Sequence, residues 1–250
     1  MIEIKNISKK FGKLEVLEHV NLSFRKGECI ALIGPNGCGK TTLIKCILGM
    51  VIPGEGDLYY NGASIRNKYL YREKIGYMPQ IGRYPDNMTI GQIIETIKDI
   101  RKFTGVLDEE LMHQFRLPEL FHKRMRTLSG GTTQKVSATL AFLFSPDILI
   151  LDEPTAGLDP LASEILKNKI IKEKNKGKLI LITSHLLSEL DDLITEIIYM
   201  QDGKVHFHET VEKLLASTGE QKISKGIARI LHSNNPGYMD KQNNETRTSA

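Results

Sequence analysis

Cysteine is scarce, long apolar runs are missing, and no dense basic block interrupts the 250 residues. Each shortage closes a class of function. Cys29, Cys38 and Cys46 are odd in number, lie in one segment and do not form CxxC pairs. They read as reduced thiols of a cytosolic protein and not as a disulfide framework. The longest apolar bursts, "DILILDEP" and "LILIT", fall far short of the ~20 residues that a membrane-spanning helix needs. The opening "MIEIKNISKKFG" alternates like a strand and lacks the apolar core of a secretory leader. Basic residues exceed acidic ones by only four, 34 against 30. With that mild excess dispersed, the surface reads as ordinarily solvated, and no nucleic-acid partner is expected.

What is present is the rhythm of an α/β protein, with enough chain for one large domain or one domain carrying an inserted lobe. "IEIKNI", "VNLSF" and "CIALIG" predict strands, the last apolar enough to be buried on both faces. From Gly39 to Gly49, "GKTTLIKCILG" has helical spacing and a closing glycine. "GDLYYNG" and "IGYMPQ" predict strands on either side of a polar loop. The character changes over about 83–145. Ile90, Ile93, Ile94 and Ile97 share one helical face behind Thr89 as N-cap, and "DEELMHQF" and "SGGTTQKVSATLAFLF" follow with no strand between them. This stretch predicts a helical lobe set into the α/β chain.

The α/β rhythm then resumes. Strand "ILILDE" leads to a helix capped by Asp159, with Pro160 in its first turn and Gly177 at its end. "KLILITS" predicts a strand and "LLSELDDL" a helix, and "EIIYM" and "KVHFH" form a hairpin through Asp202–Gly203. The expected organisation is one domain over 1–218 and a disordered tail over 219–250.

The strongest chemical signal is "GPNGCGKT" at 34–41, which fits G-x-x-x-x-G-K-[ST] between a buried strand and a helix. Gly34, Pro35, Asn36, Gly37, Cys38 and Gly39 would wrap a phosphate with inward N–H groups, which the glycines make possible. Lys40 supplies a charge for the β- and γ-phosphates, Thr41 a hydroxyl for Mg²⁺, and Thr42 a donor to another phosphate oxygen.

In a parallel sheet, ligands bind beyond the carboxyl ends of the strands. Gln80, the pair Asp152–Glu153, and His185 each follow their own apolar strand. Singly, each has a plain structural explanation as a capping or turn residue. Together with the Lys40 loop they point at one crevice equipped for hydrolysis. Asp152 suits Mg²⁺, Glu153 suits the activation of an attacking water, His185 suits a hydrogen bond to the γ-phosphate, and Gln80 suits sensing that phosphate or its magnesium. A second anion corner stands at Ser129, Gly130 and Gly131, where two glycines after a serine open a helix. From spacing alone, this corner is either a ligand site or simply a helix start.

The ordered set "GPNGCGKTT", "YMPQ", "LSGGT", "ILILDEP", "AGLDP" and "TSH" resembles the ATP-binding subunit of ABC transporters over about residues 1–215. The resemblance implies an α/β P-loop NTPase fold with a mixed sheet, a RecA-like core, an antiparallel β subdomain and the inserted helical lobe. It implies an ATPase that uses ATP and Mg²⁺. Phe11 in "KKFGK" takes the place of the aromatic residue that stacks on adenine, where the family more often has Tyr. Ser129, Gly130 and Gly131 would reach the γ-phosphate bound by the Lys40 loop of a second ATP-binding subunit, expected to be another copy of this chain, and Asp159 resembles the dimer-contact aspartate. Thr132 departs from the usual Gln of the signature. Its shorter side chain is expected to preserve the sandwich while altering affinity at the ribose end.

The same resemblance implies separate transmembrane permease subunits docked on the helical lobe. The chain is expected to be cytoplasmic and peripheral on the inner face of the membrane. Tyr84 and Met88 are candidates for that docking or for the lobe core. "YPDNMTIGQ" looks like exporter-type subunits, and "SGGTTQKVSATLAFLFSPD" is similar to ATPases of copper-enzyme maturation, as in nitrous oxide reductase assembly. Cys38, with His206 and His208 on one strand face, invites a copper site, though the spacing is no recognised ligand set. A soluble ABC-type ATPase of translation or DNA repair is the competing reading. Those usually carry two cassettes or a long coiled-coil insertion, and this sequence has neither.

Overall fold

The computed structural model describes residues 1–184 and 193–234. Alternating apolar residues at the start build β1 (Ile2–Phe11) and β2 (Leu14–Phe24), which pair antiparallel. Both are longer than their apolar cores suggested, because the exposed "KKFGKLEV" turn is itself strand and hairpin. β1 also pairs with β4 (Glu55–Tyr60), and β5 (Ala63–Ser64) completes a sheet ordered β2-β1-β4-β5.

The fully apolar strands stack elsewhere. β3 (Cys29–Ile33), β7 (Ile148–Asp152) and β8 (Leu179–Thr183) are buried at every position. With β6 (Ile75–Met78), β9 (Glu196–Gln201) and β10 (Lys204–Thr210) they form a second sheet ordered β10-β9-β3-β8-β7-β6. It is parallel except for β10, which turns back on β9. The second sheet divides the core by the two-residue strand period. Ile30 and Leu32 join Leu43, Ile44 and Ile47 of α1 (Lys40–Ile47) and the antiparallel sheet. Cys29, Ala31 and Ile33 face the helical lobe instead. Burial pushes the Cys29 thiol up to about 12 and that of Cys46 up to about 11, so both stay protonated at neutral pH.

The lobe holds α2 (Ile90–Arg101), α3 (Glu110–Gln114) and α4 (Gly130–Phe142). α2 starts with a capping box in which Thr89 and Gln92 satisfy each other's backbone N–H groups. Ile90, Ile93 and Ile94 are buried as expected, and Ile97 is half-buried at the edge. α5 (Pro160–Asn175) buries Ala162, Leu166 and Ile170 in the core that β7, β8 and the lobe share, and is tied to the lobe by charge. The Lys169 ammonium, with its side chain 1% exposed, sits 2.5 Å from Asp108, 2.9 Å from Glu110 and 3.2 Å from Glu173.

Two expectations about the later chain need correction. After α6 (Val211–Thr218) the chain does not lose order at 219, since α7 (Ile223–Asn234) follows with Ile223 and Ile227 buried. Ile223, Ile227 and Ile230 form an amphipathic stripe among polar residues, and polarity hid it. His206 and His208 do not occupy regular alternating positions, because a register shift between Val205 and Phe207 leaves His206 outside the ladder. His206 meets Tyr199 edge-on and His208 pairs with Glu196 at 2.6 Å. Among the described residues no group of three or more His, Cys, Asp or Glu is placed to hold a metal ion. The helix expected from "LLSELDDL" falls, but for Leu193, outside the described residues. Among those described, no helix is long and apolar enough to cross a membrane.

Candidate functional site

The sheet order decides the site. β3, β8, β7 and β6 are consecutive neighbours running parallel. The segments after their carboxyl ends therefore line one edge: the Lys40 loop, Ser184, Asp152–Glu153 and Gln80. His185, expected at the same place, lies outside the described residues.

The loop from Gly34 to Gly39 begins and ends where only glycine fits. Gly34 and Gly39 have φ of 147° and 105°. A Cβ at Gly34 would lie 2.0 Å from the Met200 carbonyl oxygen, and one at Gly39 would lie 2.6 Å from that of Val16. β9 and β2 thus press on the loop from behind. Pro35, Asn36 and Gly37 are exposed at its crest while Cys38 is buried beneath. α1 opens directly at Lys40 with no side-chain cap and no acid in its first turn. Its early N–H groups and positive dipole end are therefore available to an anion. The Lys40 ammonium donates to the carbonyls of Gly34 at 2.7 Å and Pro35 at 3.0 Å. Thr41 is exposed and Thr42 half-buried on the same first turn.

Across the edge, Asp152 is buried and receives a short hydrogen bond from the Thr183 hydroxyl on the neighbouring strand. The Glu153 N–H donates to both the carbonyl and the hydroxyl oxygen of Thr183, each at 3.1 Å. Glu153 adopts a left-handed backbone, φ 51°, an uncommon conformation for a residue other than glycine and one that clusters at functional sites. Gln80 Nε2 donates to Glu153 Oε2 at 3.0 Å, so the residues after β6 and β7 meet. Burial, then the Asp152 charge, pushes the Tyr77 hydroxyl up to about 12, keeping it protonated beside this edge.

The Ser129 corner is a separate construction. Ser129 caps α4, accepting from the Thr132 N–H at 3.3 Å, and its hydroxyl oxygen lies 2.9 Å from that of Thr132. Ser129 and Gly130 are exposed. Gly131 packs on the loop after β7, where an added Cβ would lie 2.8 Å from the Gly157 carbonyl oxygen. Asp159 accepts from the Ala162 N–H at 2.8 Å, as the expected cap of α5, and from Lys135 of α4 at 2.7 Å. The Lys135 ammonium, then the Ala162 N–H, holds its carboxyl below the ordinary aspartate range. In this chain its carboxylate serves local contacts.

Sequence reasoning missed the residues that join these parts. Buried Gln134 of α4 donates to the Gln80 carbonyl at 3.3 Å, and Tyr84 shares a 2.9 Å hydrogen bond with Ser137 of the same helix. In the sequence Gln134 and Ser137 looked like ordinary helix residues, and Tyr84 stood only as a candidate for docking or the lobe core; the approach of Gln80 and Tyr84 to α4 gives them this task. Thr183, at the end of "LILIT", is the other omission. Tyr84 and Met88 are both half-buried against the lobe core. Tyr84 also lines a cavity of about 310 Å³ between core and lobe, with Met50, Tyr77, Leu140 and Phe144. A larger cavity of about 430 Å³, among Asp57, Arg66, Tyr69 and Tyr71, holds none of the expected site residues. Phe11 is half-exposed at the tip of the β1–β2 hairpin, with the Lys9 ammonium 5.2 Å from its ring centre.

Comparison with known proteins gives a consistent answer. The family described as ABC transporter matches residues 17–156. The chain is 31% identical over 230 residues to the ABC transporter ATP-binding protein YhaQ of Bacillus subtilis, covering 90% of this chain and 76% of that one. It is 32% identical over 208 residues to the lantibiotic transport ATP-binding protein SrtF of Streptococcus pyogenes, covering 82% and 89%. Among solved structures, an ATP-binding subunit of an ABC transporter superposes with a TM-score of 0.84 at 28% identity, covering 92% of this chain and 99% of that one. A dimeric ATP-binding cassette in a post-hydrolysis state, bound to ADP and Pi, superposes with a TM-score of 0.73 at 26% identity, covering 84% and 99%.

Proposed function

Because the chain belongs to the ABC transporter family, we propose that it is the ATP-hydrolysing subunit of such a transporter, working as a pair in which each ATP is held between two cassettes. The observation that carries this reading is the division of anion-binding parts. The Lys40 loop shares an edge with Asp152, Glu153 and Gln80, while the Ser129 corner stands on another element, packed against the Gly157 loop.

In this reading Gly34 to Thr42 bind the phosphates, with Lys40 exchanging its loop carbonyls for phosphate oxygens, and Phe11 supports the adenine. Glu153 takes a proton from the attacking water, positioned by Gln80, and His185 donates to the γ-phosphate. Thr41, Asp152 and the amide oxygen of Gln80 are hard oxygen donors of the kind Mg²⁺ takes, and buried Asp152 is already oriented by Thr183. Bound there, Mg²⁺ would neutralise phosphate charge. The chain's own contribution is positioning and charge stabilisation, which phosphoryl transfer mostly requires. Ser129, Gly130 and Gly131 close the seam from the second copy, and Asp159 stands beside them.

The partners are a second copy and separate permease subunits, which hold the chain at the cytoplasmic face of the membrane. The cavity beside Tyr84 and Met50 supports that docking, because it lies between the lobe and the core. Lantibiotic transport, named for one relative, supports an exporter. The association with copper-enzyme maturation rests on the sequence likeness alone and gains no support from these relatives. Mixing a Ser129→Arg chain with a Lys40→Ala chain tests the pairing. One working site per heterodimer should restore up to about half of the phosphate release, whereas full activity of Ser129→Arg alone would end the shared-site reading.

A further inference from the structure

Resting on the shared-site reading above, we propose that Thr132 is a positioning residue for Ser129. It fixes the hydrogen of the Ser129 hydroxyl outward, as a donor to the γ-phosphate on the second cassette. The two hydroxyl oxygens lie 2.9 Å apart, and the Thr132 N–H points at the same Ser129 oxygen from 3.3 Å. A serine hydroxyl gives one hydrogen and receives two. A phosphate oxygen facing the corner only accepts, so Ser129 must turn its single hydrogen to the phosphate. The 2.9 Å contact then survives in one direction alone, with Thr132 donating. Its N–H and O–H fill both lone pairs of Ser129, and the chain from Thr132 through Ser129 to phosphate polarises each bond in turn.

The molecule contains its own contrast. At α2 the cap is again a hydroxyl residue, but the third helical position is Gln92. There Gln92 Oε1 accepts from the Thr89 backbone N–H at 2.9 Å, and the Thr89 hydroxyl receives the Gln92 backbone N–H. A glutamine at that position thus reaches past the hydroxyl to the backbone. Threonine, short and restricted at χ1, keeps its hydroxyl over the cap oxygen. Thr132 in the signature therefore shifts the corner from backbone capping to organising the serine donor.

The test uses the full chain with Glu153→Gln, which stops turnover, and measures the ATP concentration for half-maximal dimerisation by light scattering. Thr132→Val, which keeps the shape and the backbone N–H, should raise that concentration about 3- to 10-fold, the worth of one hydrogen bond. Thr132→Ser should recover to within about twofold. Adding Thr132→Val to Ser129→Ala should change nothing further. Should Ser129→Ala dimerise normally, the shared site itself fails. Should Ser129→Ala be impaired while Thr132→Val is normal, Thr132→Ser fails to recover, or the two losses add, the shared site stands and the role of Thr132 is overturned.

Discussion

The side-chain amide of Gln80 donates to the Glu153 carboxylate at 3.0 Å, bridging the ends of the neighbouring parallel strands β6 and β7. The same Gln80 is held through its carbonyl by Gln134 on α4. Glu153 is therefore aimed by a residue that also answers to the helical lobe, giving the lobe a physical route to the carboxylate proposed to activate water. Replacing Glu153 by Gln keeps the size and the contact to Gln80 but removes the proposed base. Turnover should fall about 10²- to 10⁴-fold, the usual worth of a general base. ATP affinity should stay close to that of the unaltered chain. Gln80→Ala should lower kcat with a smaller loss, since the carboxylate remains but is no longer aimed. Phosphate release and equilibrium nucleotide binding, measured on both variants, separate the two roles.

The Lys169 cluster makes a separate prediction, about stability. Glu173 has a fully buried side chain paired with Lys169, Lys176 and Lys178. Burial alone would raise its carboxyl, but hydrogen bonds from Lys176 and Lys178, with the Lys178 and Lys169 charges, bring it from 4.5 down to about 2. A depressed folded-state value stabilises the fold above the unfolded value and loses that contribution as pH falls toward the folded one. The urea midpoint should therefore hold above about pH 5 and decline progressively below it. Glu110 contributes in the same direction, its carboxyl lowered by Lys172 first and then Lys169. Glu173→Gln should be less stable at pH 7 and show a shallower decline in acid. Lys169→Met leaves Glu173 with Lys176 and Lys178 and Glu110 with Lys172 but takes the ammonium from Asp108, and should cost about 1–3 kcal/mol at neutral pH.

Neither that cluster nor the lobe's hold on Gln80 was legible in the sequence, although most of the fold was. The continuously apolar β3, β7 and β8 announced a buried parallel sheet. Gly34 to Thr41 announced its loop, and Thr89 and Asp159 announced their caps. These signals are local, carried within a few residues of backbone. Lys169 in "LKNKIIKEKN" reads as one more solvated lysine, because its partners Asp108 and Glu110 lie about sixty residues earlier in sequence. Gln134 and Ser137 are similarly silent until tertiary packing brings Gln80 and Tyr84 to α4. Asp159 was read correctly as a cap, but its pairing with Lys135 needed the approach of two helices.

The sharpest disagreement between sequence pattern and structure lies at the far end, and truncation tests it. A disordered tail from 219 would make removal of everything beyond Gly219 harmless. In the structure, Ile223 and Ile227 of α7 are buried in the core that also holds Leu214 of α6. Gly226 sits so close to Leu214 and Thr218 that an added Cβ would lie 3.2 to 3.3 Å from them. Ending the chain at Gly219 removes this cover, uncovers Leu214 and leaves α6 without its partner. Ile227→Ala should cost about 2–5 kcal/mol as a buried large-to-small change, visible as a lower urea midpoint. Ser224→Ala on the exposed side of the same helix should stay within about 0.5 kcal/mol of the parent. A truncated chain that unfolds at the parent midpoint would show that α7 adds nothing to the domain, and the boundary would return to 218.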